Sequence, residues 1–162
     1  MQKLTPHHKN NQQSAQVAVD WVINDHFLNV TFLFEGTSLK NEISGTPFNW
    51  GLWEQDVLEV FVREKGHSSY LEIQIAPSEQ LFALIVEKPR EKFYFARTDE
   101  LSFSVSTHQA EISIPLSLIP EYTNGDLEGN FFAVIDQNFY AMTINTEGQP
   151  DFHRPDLFRS LV

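Results

Sequence analysis

Two tryptophans, Trp50 and Trp53, stand just ahead of a segment in which apolar and polar residues alternate, 57–63. A β-strand repeats with a period of two residues, so one face of this segment is apolar. The other face carries the carboxyl group of Glu59 beside the ring of Phe61. Carboxylate oxygens accept hydrogen bonds and indole faces stack on flat apolar surfaces, so this combination favours non-covalent binding of a ligand.

The next apolar segment, 70–76, repeats the same arrangement. Its alternation places Tyr70, Glu72 and Gln74 on one face and leaves the other face apolar. If the two segments are neighbouring strands, these three side chains join Glu59 on one surface. We therefore predict a polar and aromatic platform with the two tryptophans at its rim.

A sugar ring is a ligand that such a platform could bind. The ring has an apolar face of C–H groups and a belt of hydroxyls, so its site needs a flat aromatic surface and a few fixed hydrogen-bonding groups. Trp53 offers the surface, with Trp50 as a second ring, and Arg97 is a candidate donor to hydroxyls. The alternative interpretation is that the tryptophans are core residues and that the carboxylates only face solvent.

A second polar concentration lies near the C-terminus, where the segment 151–156 holds His153, Arg154 and two carboxylates. In one interpretation it is an ordered cap, in which Arg154 pairs bidentately with a carboxylate and tethers the tail to the rest of the domain. In the other, His153 and Arg154 form a polar wall of the ligand pocket. Both hold if the tail crosses the mouth of the site.

No metal site or cofactor is predicted from the histidines, whose spacing does not match a zinc motif. Structural Ca²⁺ bound by loop carboxylates stays an alternative, although no EF-hand pattern occurs. The candidate ligands for such an ion are Asp20, Asp25, Asp126 and Asp151.

Catalysis is not expected. Glu59 and Glu72 could lie across neighbouring strands at about 5 Å, near the separation of the carboxyls in retaining glycosidases. Those enzymes, however, place their carboxyls in deep clefts that raise one pKa, and a 162-residue chain of short strands rarely forms such a cleft. No nucleophile elbow, phosphate loop or dinucleotide fingerprint occurs either.

The charge of the chain excludes several classes of partner. Acidic residues outnumber basic ones 22 to 11, giving a formal net charge of −11. The cations are scattered, which argues against nucleic acid and against an anionic membrane surface. The absence of cysteine rules out disulfides and fits a reducing compartment. The first ten residues lack the apolar core of a signal peptide, so we expect a cytoplasmic protein, or a periplasmic or secreted one if a leader was removed.

Short strands and turns account for the rest of the chain. Alternation and β-branched or aromatic residues predict strands at 16–22, 26–34, 81–86, 93–97, 102–108, 111–115, 131–136 and 139–144. The segment 81–86 is apolar on both faces, which predicts a central strand. Glycine and proline predict a long loop over 36–47. Only 116–119 is typical of a helical turn, which Pro120 ends.

About ten short strands with almost no helix predict an all-β, single-domain antiparallel β-sandwich, with two sheets in an immunoglobulin-like or jelly-roll-like architecture. A closed barrel is the alternative. Residues 1–15 are polar and predict a flexible leader, so the domain is expected to span 16–162.

These residues resemble a known superfamily. Trp53 and Glu59 within 52–61, followed by the strand at 70–73, resemble the DOMON-like β-sandwiches related to family 9 carbohydrate-binding modules. The closing segment 150–158 is similar to the end of an uncharacterised bacterial branch of that superfamily. The resemblance covers roughly Gln16 to Leu161.

The resemblance implies a fold and a mode of binding. In the sugar-binding modules a tryptophan ahead of this strand stacks on a pyranose and an acidic residue in the strand bonds its hydroxyls, which implies these roles for Trp53 and Glu59. A second tryptophan from the C-terminal half completes the clamp there. This chain has no tryptophan after Trp53, so the candidates for that position are Phe131, Phe139, Tyr140 and Phe152.

The resulting hypothesis is a non-catalytic domain that binds a mono- or oligosaccharide as a monomer or weak dimer. Two alternatives remain. Other members of the superfamily hold a haem, which would require Met142 and a histidine or lysine in one apolar pocket and would imply electron transfer or sensing. The domain could also be a protein-interaction module that docks a partner on its aromatic surface.

Overall fold

The computed structural model describes residues 1–11, 15–40 and 50–162. Within these ranges the strands are β1 (Gln2–Lys3), β2 (Thr5–Pro6), β3 (Gln16–Ile23), β4 (Phe27–Glu35), β5 (Val57–Glu64), β6 (Tyr70–Ala76), β7 (Gln80–Lys88), β8 (Lys92–Phe95), β9 (Ser102–Val105), β10 (Gln109–Pro115), β11 (Leu127–Ile135), β12 (Asn138–Ala141) and β13 (Arg159–Ser160). Short 3₁₀ turns form at Leu52–Glu54, Leu116–Leu118 and Pro155–Leu157. None of the helical turns in the described ranges is long and apolar enough to cross a membrane.

The strands form two antiparallel sheets. The smaller sheet has the order β1-β3-β4-β10-β9, and the larger has the order β2-β12-β11-β5-β6-β7-β8, with β13 pairing with β11. Each sheet has free edges, so the architecture is a sandwich and the alternative of a closed barrel is wrong. The predicted all-β antiparallel sandwich is confirmed.

The main core lies between the two sheets and follows from the alternation of residues along each strand. On β5 the inward residues are Leu58, Val60 and Val62, all at most 1% exposed. They meet the inward residues of the smaller sheet, among them Val30 and Phe32 of β4. Alternate residues of each strand thus build one continuous apolar layer, as expected for two sheets packed face to face.

The outer face of the larger sheet is also covered, which the sequence did not indicate. A second apolar cluster lies there and includes Val57, Phe61, Tyr70, Phe82 and Phe132. The 3₁₀ turn at 52–54 and the C-terminal residues 152–158 supply further members of this cluster. As a result, every residue of β6 is buried. The polar side chains on the outer face of β5 and β6 are therefore inside the protein instead of facing solvent.

The N-terminal segment differs from the flexible leader predicted over 1–15. β1 pairs with β3 in the smaller sheet, and β2 pairs with β12 in the larger one. Leu4 between them is 5% exposed and belongs to the main core. Strands of two residues are too short to show a period, which is why the sequence pattern missed them.

Two further predictions concern β7 and the loop after β4. The segment 81–86 was expected to be a central strand, but β7 lies next to the edge strand β8. Both faces of β7 are buried because the main core covers one face and the second cluster covers the other. The long loop predicted at 36–47 falls largely outside the described residues, which omit 41–49.

Candidate functional site

The outer face of the larger sheet contains a pocket of about 410 Å³. This volume is within the range of small-molecule sites. Its lining residues are Trp50, Trp53, Glu59, Phe61, Glu72, Gln74, Leu84, Val86, Arg90, Phe93, Val134, Phe139, Pro150, Asp151, Phe152 and His153. The floor comes from the strands β5, β6, β7 and β11, and the walls come from the segment before β5, the β7–β8 turn and the C-terminal segment.

The polar part of the floor is formed by Glu59, Glu72 and Gln74, each at most 2% exposed. Glu59 lies directly opposite Gln74 across the β5–β6 pair, while Glu72 lies opposite Phe61. The two carboxyls lie on neighbouring strands, as expected, and are diagonal neighbours across the pair. Gln74 Nε2 donates a hydrogen bond to Glu72 Oε1 at 2.8 Å.

Three oxygen atoms of this floor are buried without a hydrogen-bond partner among the described residues. They are Glu59 Oε2, Glu72 Oε2 and Gln74 Oε1. Leaving a buried acceptor unpaired costs about 1–3 kcal/mol. Unpaired buried groups that line a pocket are therefore candidates for contact with a ligand.

The burial of the two carboxyls changes their protonation. Burial raises the pKa of Glu59 well above its usual value, and the nearby Glu72 raises it further. Burial likewise raises the pKa of Glu72 to about 7, although the hydrogen bond from Gln74 opposes this change. Since both shifts arise from lost solvation, each carboxyl holds its proton to a higher pH than an exposed glutamate.

The aromatic wall is formed by Trp50 and Trp53, as predicted. Trp50 is 59% exposed and Trp53 is 37% exposed. Their rings meet edge to face with centroids 5.1 Å apart, and each also contacts the buried ring of Phe82. Trp50 stacks on Phe93 with centroids 5.9 Å apart. Contacts with Phe82 and Phe93 support the two indoles from one side and leave part of each ring open to a ligand.

The opposite wall comes from the C-terminal segment, where His153 lines the pocket. The hydroxyl oxygen of Tyr70, the first residue of β6, lies 2.7 Å from His153 Nδ1. His153 Nε2 lies 3.9 Å from Glu72 Oε2, too far for a hydrogen bond. Tyr70 itself is fully buried and does not line the pocket. Its hydroxyl contacts His153 instead, so the structure does not place Tyr70 on the platform as predicted.

The protonation of His153 follows from its surroundings. Burial and the charge of Arg90 lower its pKa, while Asp151 raises it, so the ring is neutral at neutral pH. Burial raises the pKa of Tyr70, so its hydroxyl keeps its proton. We assign the proton of the neutral imidazole to Nε2, so that the hydroxyl of Tyr70 donates to Nδ1. In this tautomer His153 directs an N–H donor toward the floor.

Arg90 and Asp151 both line the pocket. Asp151 belongs to the polar segment 151–156 that one interpretation predicted as a pocket wall, whereas Arg90 was not predicted. Arg90, in the turn between β7 and β8, pairs with Asp151 through Nη2 and Oδ1 at 2.5 Å. Asp151 Oδ1 also accepts a hydrogen bond from the backbone N–H of His153, and Asn145 Oδ1 accepts one from the backbone of Asp151. The pair joins the C-terminal wall to the larger sheet. The charge run 87–92 was the only sequence signal for Arg90.

Two predicted site residues are elsewhere. Arg97 is exposed and pairs with Asp99 at 2.9 Å and with Glu100, both within three residues of it. Arg154 is half-buried and pairs bidentately with Asp156. Neither arginine lines the pocket. Arg154 does make the predicted bidentate pair, but with its own segment, so it does not tether the tail. The prediction failed because both arginines have an acidic neighbour close in sequence.

The four aromatic candidates for the second half of the clamp divide into two groups. Phe139 and Phe152 line the pocket, with centroids 5.9 Å apart. Phe131 and Tyr140 lie in the main core between the sheets. Phe152 stacks on the buried Phe132 at 4.1 Å. A flat aromatic surface is therefore available on the C-terminal side of the pocket as well.

The structure separates Met142, the methionine of the haem alternative, from the histidine of the pocket. Met142 is 7% exposed and lies in the main core, whereas His153 lies on the outer face of the larger sheet. In residues 1–11, 15–40 and 50–162, no three or more His, Cys, Asp or Glu side chains form a group that could hold a metal ion.

Comparisons with known proteins place the fold. No family model and no curated protein matches the chain. Among solved structures, it is similar to a candidate carbohydrate-binding protein from Bacteroides uniformis ATCC 8492, with a TM-score of 0.81 and 17% identity over 98% of this chain and 84% of that chain. Family 9 carbohydrate-binding modules from Caldicellulosiruptor kristjanssonii are similar to it as well. The complex with glucose has a TM-score of 0.60 and 17% identity over 98% of this chain and 82% of that chain. The complex with cellotriose has a TM-score of 0.60 and 16% identity over 97% and 80% of the two chains. The chain thus has the β-sandwich fold of the family 9 carbohydrate-binding modules, as the resemblance in its sequence predicted.

Proposed function

We propose that this protein is a non-catalytic domain that binds a mono- or oligosaccharide in the pocket on the outer face of the larger sheet. The observation that carries the proposal is the meeting of two exposed indoles with three buried, unpaired acceptor oxygens in one pocket. Similarity of fold to structures described as carbohydrate-binding supports the same conclusion.

The geometry suggests how a sugar would bind. The apolar face of the ring would stack on Trp53, and Phe139 or Phe152 would contact it from the opposite wall. Hydroxyls would donate to Glu59 and Gln74, which lie side by side on the floor. The Nε2–H of His153 would donate to a ring or hydroxyl oxygen. Aromatic stacking and a few fixed hydrogen bonds are the two elements that recognition of a sugar requires.

Binding of this kind is weak. One aromatic stack and a few hydrogen bonds that compete with water leave a net gain of about 4–7 kcal/mol, which corresponds to dissociation constants in the micromolar to millimolar range. The measurements that test the proposal therefore need ligand concentrations up to several millimolar.

The carboxyls support binding and not hydrolysis. A retaining glycosidase needs one ionised carboxylate as nucleophile and one protonated acid. Here burial shifts the pKa of both Glu59 and Glu72 in the same direction, upward. Their environments do not divide the two roles between them.

Tryptophan fluorescence tests the proposal. We expect hexoses and their disaccharides to change the emission of the wild-type protein in a saturable manner, and we expect Trp53→Ala to weaken binding at least about tenfold because the stacking surface is lost. Tyr94→Ala is the matched control. Tyr94 is an exposed aromatic residue on the neighbouring strand β8, 52% exposed, and does not line the pocket. The Tyr94→Ala variant should bind sugars with the same affinity as the wild type.

Three outcomes would contradict the proposal. If no sugar produces a saturable change in fluorescence, the proposal of carbohydrate binding is wrong. An unchanged affinity in Trp53→Ala would remove the assigned role of Trp53. A Soret band after addition of haem that disappears in Met142→Ala would instead support the haem-binding alternative.

A further inference from the structure

We propose that the sugar bound by this pocket carries a free amino group, and that its ammonium contacts the carboxyls of Glu59 and Glu72. This inference rests on the proposed function, because it names the class of sugar that the same site selects. It depends on the donors, the acceptors and the charges that line the pocket.

The buried atoms of the floor that are left without a partner are all oxygens. They are Glu59 Oε2, Glu72 Oε2 and Gln74 Oε1. One N–H of the Gln74 amide is already used, since it donates to Glu72 Oε1 at 2.8 Å. A ligand that satisfies this floor must bring several donors to one place. An ammonium group has three donors and no acceptor, whereas each hydroxyl has one donor and also requires partners of its own.

The charges that face this floor do not balance. The titratable and charged side chains in the lining are Glu59, Glu72, Asp151, Arg90 and His153. Arg90 pairs with Asp151, so their charges offset each other. The pKa of His153 is lowered, chiefly by burial, so it adds no positive charge at neutral pH. No lysine lines the described part of the pocket. Glu59 and Glu72 are therefore diagonal neighbours on the floor, and no cation of the lining is left to pair with them.

A buried carboxylate without a counter-ion is costly, and the free protein avoids the cost by protonation. Burial raises the pKa of Glu72 to about 7 and that of Glu59 well above its usual value. A ligand cation removes the same cost by pairing, so it allows the carboxyls to ionise. A neutral sugar cannot do this. The site should consequently prefer a hexosamine over the parent hexose and over its N-acetyl derivative, which has lost the charge.

Direct comparison of matched sugars tests the preference. Glucosamine, galactosamine and mannosamine are titrated by calorimetry at about pH 6.5, each beside its parent hexose and its N-acetyl derivative. At least one amino sugar should bind about tenfold or more tightly than its two neutral counterparts, as expected for a charge-assisted contact in a buried site. Glu59→Gln should reduce this ratio, because it removes one carboxyl and keeps the shape of the side chain.

Glu111→Gln is the matched control for that substitution. Glu111 is an exposed glutamate on β10 of the smaller sheet, and it does not line the proposed site. It should leave the affinity for amino sugars and neutral sugars unchanged. A ratio that falls equally in both variants would show a general effect of charge and would overturn the inference.

Proton release gives a second readout that stacking alone would not produce. When an ammonium pairs with the carboxyls, their pKa falls and they lose protons. Calorimetry in two buffers of different ionisation enthalpy should therefore detect the release of about one proton for each bound amino sugar. A neutral sugar should release none.

The outcomes separate the two proposals. If neutral hexoses bind as tightly as hexosamines and no protons are released, the inference is wrong and carbohydrate binding stands. If no sugar of the panel binds, the proposed function itself is wrong. Calcium chloride alone is titrated in the same way, and saturable uptake that is lost in Glu59→Gln would assign the floor to a divalent cation and overturn the inference.

Discussion

Strand β5 carries two buried glutamates, and they are in opposite situations. Glu59 is 1% exposed and leaves Oε2 without a partner at the floor of the pocket. Glu64, at the end of the same strand, is 6% exposed and is fully engaged. Its carboxylate accepts hydrogen bonds from the backbone N–H and hydroxyl of Thr123, each at 2.6 Å, and from the N–H of Gly125 at 3.0 Å.

The two environments shift the pKa in opposite directions. The hydrogen bonds from Thr123 lower the pKa of Glu64 to about 2, whereas burial raises that of Glu59. Glu64 is thus a structural carboxylate that fastens the loop before β11 to the end of β5. Glu59 lacks such partners, although it is more deeply buried. The proposed binding of a ligand at the floor depends on this difference.

The largest effect on stability is expected when the ionisable carboxyl of Glu72 is removed from the floor of the pocket. The folded protein holds the proton of Glu72 up to about pH 7, whereas the unfolded chain releases it near the ordinary pKa of 4.5. Through Glu72 stability therefore falls as pH rises from about 5 to 8, by about 3 kcal/mol for a shift of this size. Glu72→Gln should remove this contribution, leave that of Glu59 in place, and be more stable than the wild type at about pH 8. Urea denaturation of both proteins at the two pH values measures it, and equal pH dependence would contradict the assignment.

Glu64 should change stability with pH in the opposite direction to Glu72. Its lowered pKa means that it stabilises the fold above the unfolded value of 4.5, and that this contribution is lost as pH falls toward 2. Glu64→Ala should lower the Tm at neutral pH by several degrees, since the N–H groups of Thr123 and Gly125 lose their acceptor. The difference in Tm between Glu64→Ala and the wild type should become smaller at acid pH. Thermal unfolding followed by circular dichroism checks this, with Glu111→Ala as the control, and a gap that persists at about pH 2 would argue against it.

The smallest effect is expected for the exposed arginine pairs. Arg97 and Arg154 pair with carboxylates close in sequence and lie outside the pocket. Exposed pairs of this kind contribute little to stability. Arg97→Ala and Arg154→Ala should unfold with the wild type within the error of the measurement and bind sugars within about twofold of it. A clear loss of affinity in either variant would return that arginine to the site.

The local pattern of the sequence was sufficient for the strands that form the floor. Alternation placed Glu59, Glu72 and Gln74 on one face of two strands, and the pairing of β5 with β6 confirms this. The position of the tryptophans ahead of β5 was enough to predict the aromatic rim. These features depend on neighbours in sequence or on adjacent strands, which a period of two residues reveals.

The walls of the pocket could not be derived in this way. Arg90 and Asp151 are 61 residues apart and meet only because the C-terminal segment crosses the outer face of the larger sheet. That crossing depends on tertiary packing of Phe152 and Phe158, for which the sequence gives no period. The same crossing buries the floor, so the sequence could not predict either that Glu59 is buried with an unpaired oxygen. Arg97 was misplaced because its pairing with Asp99 was not considered.

The short N-terminal strands have a mechanical consequence. Gln2–Lys3 joins the smaller sheet and Thr5–Pro6 joins the larger one, with Leu4 crossing between them. The five consecutive residues 2–6 thus link the two sheets along one edge. A pulling force applied at Met1 would have to peel β1 from β3 before it reached β2. Rupture should therefore begin at the edge opposite β8 and the aromatic wall, and the floor of the pocket should keep its shape while that edge opens.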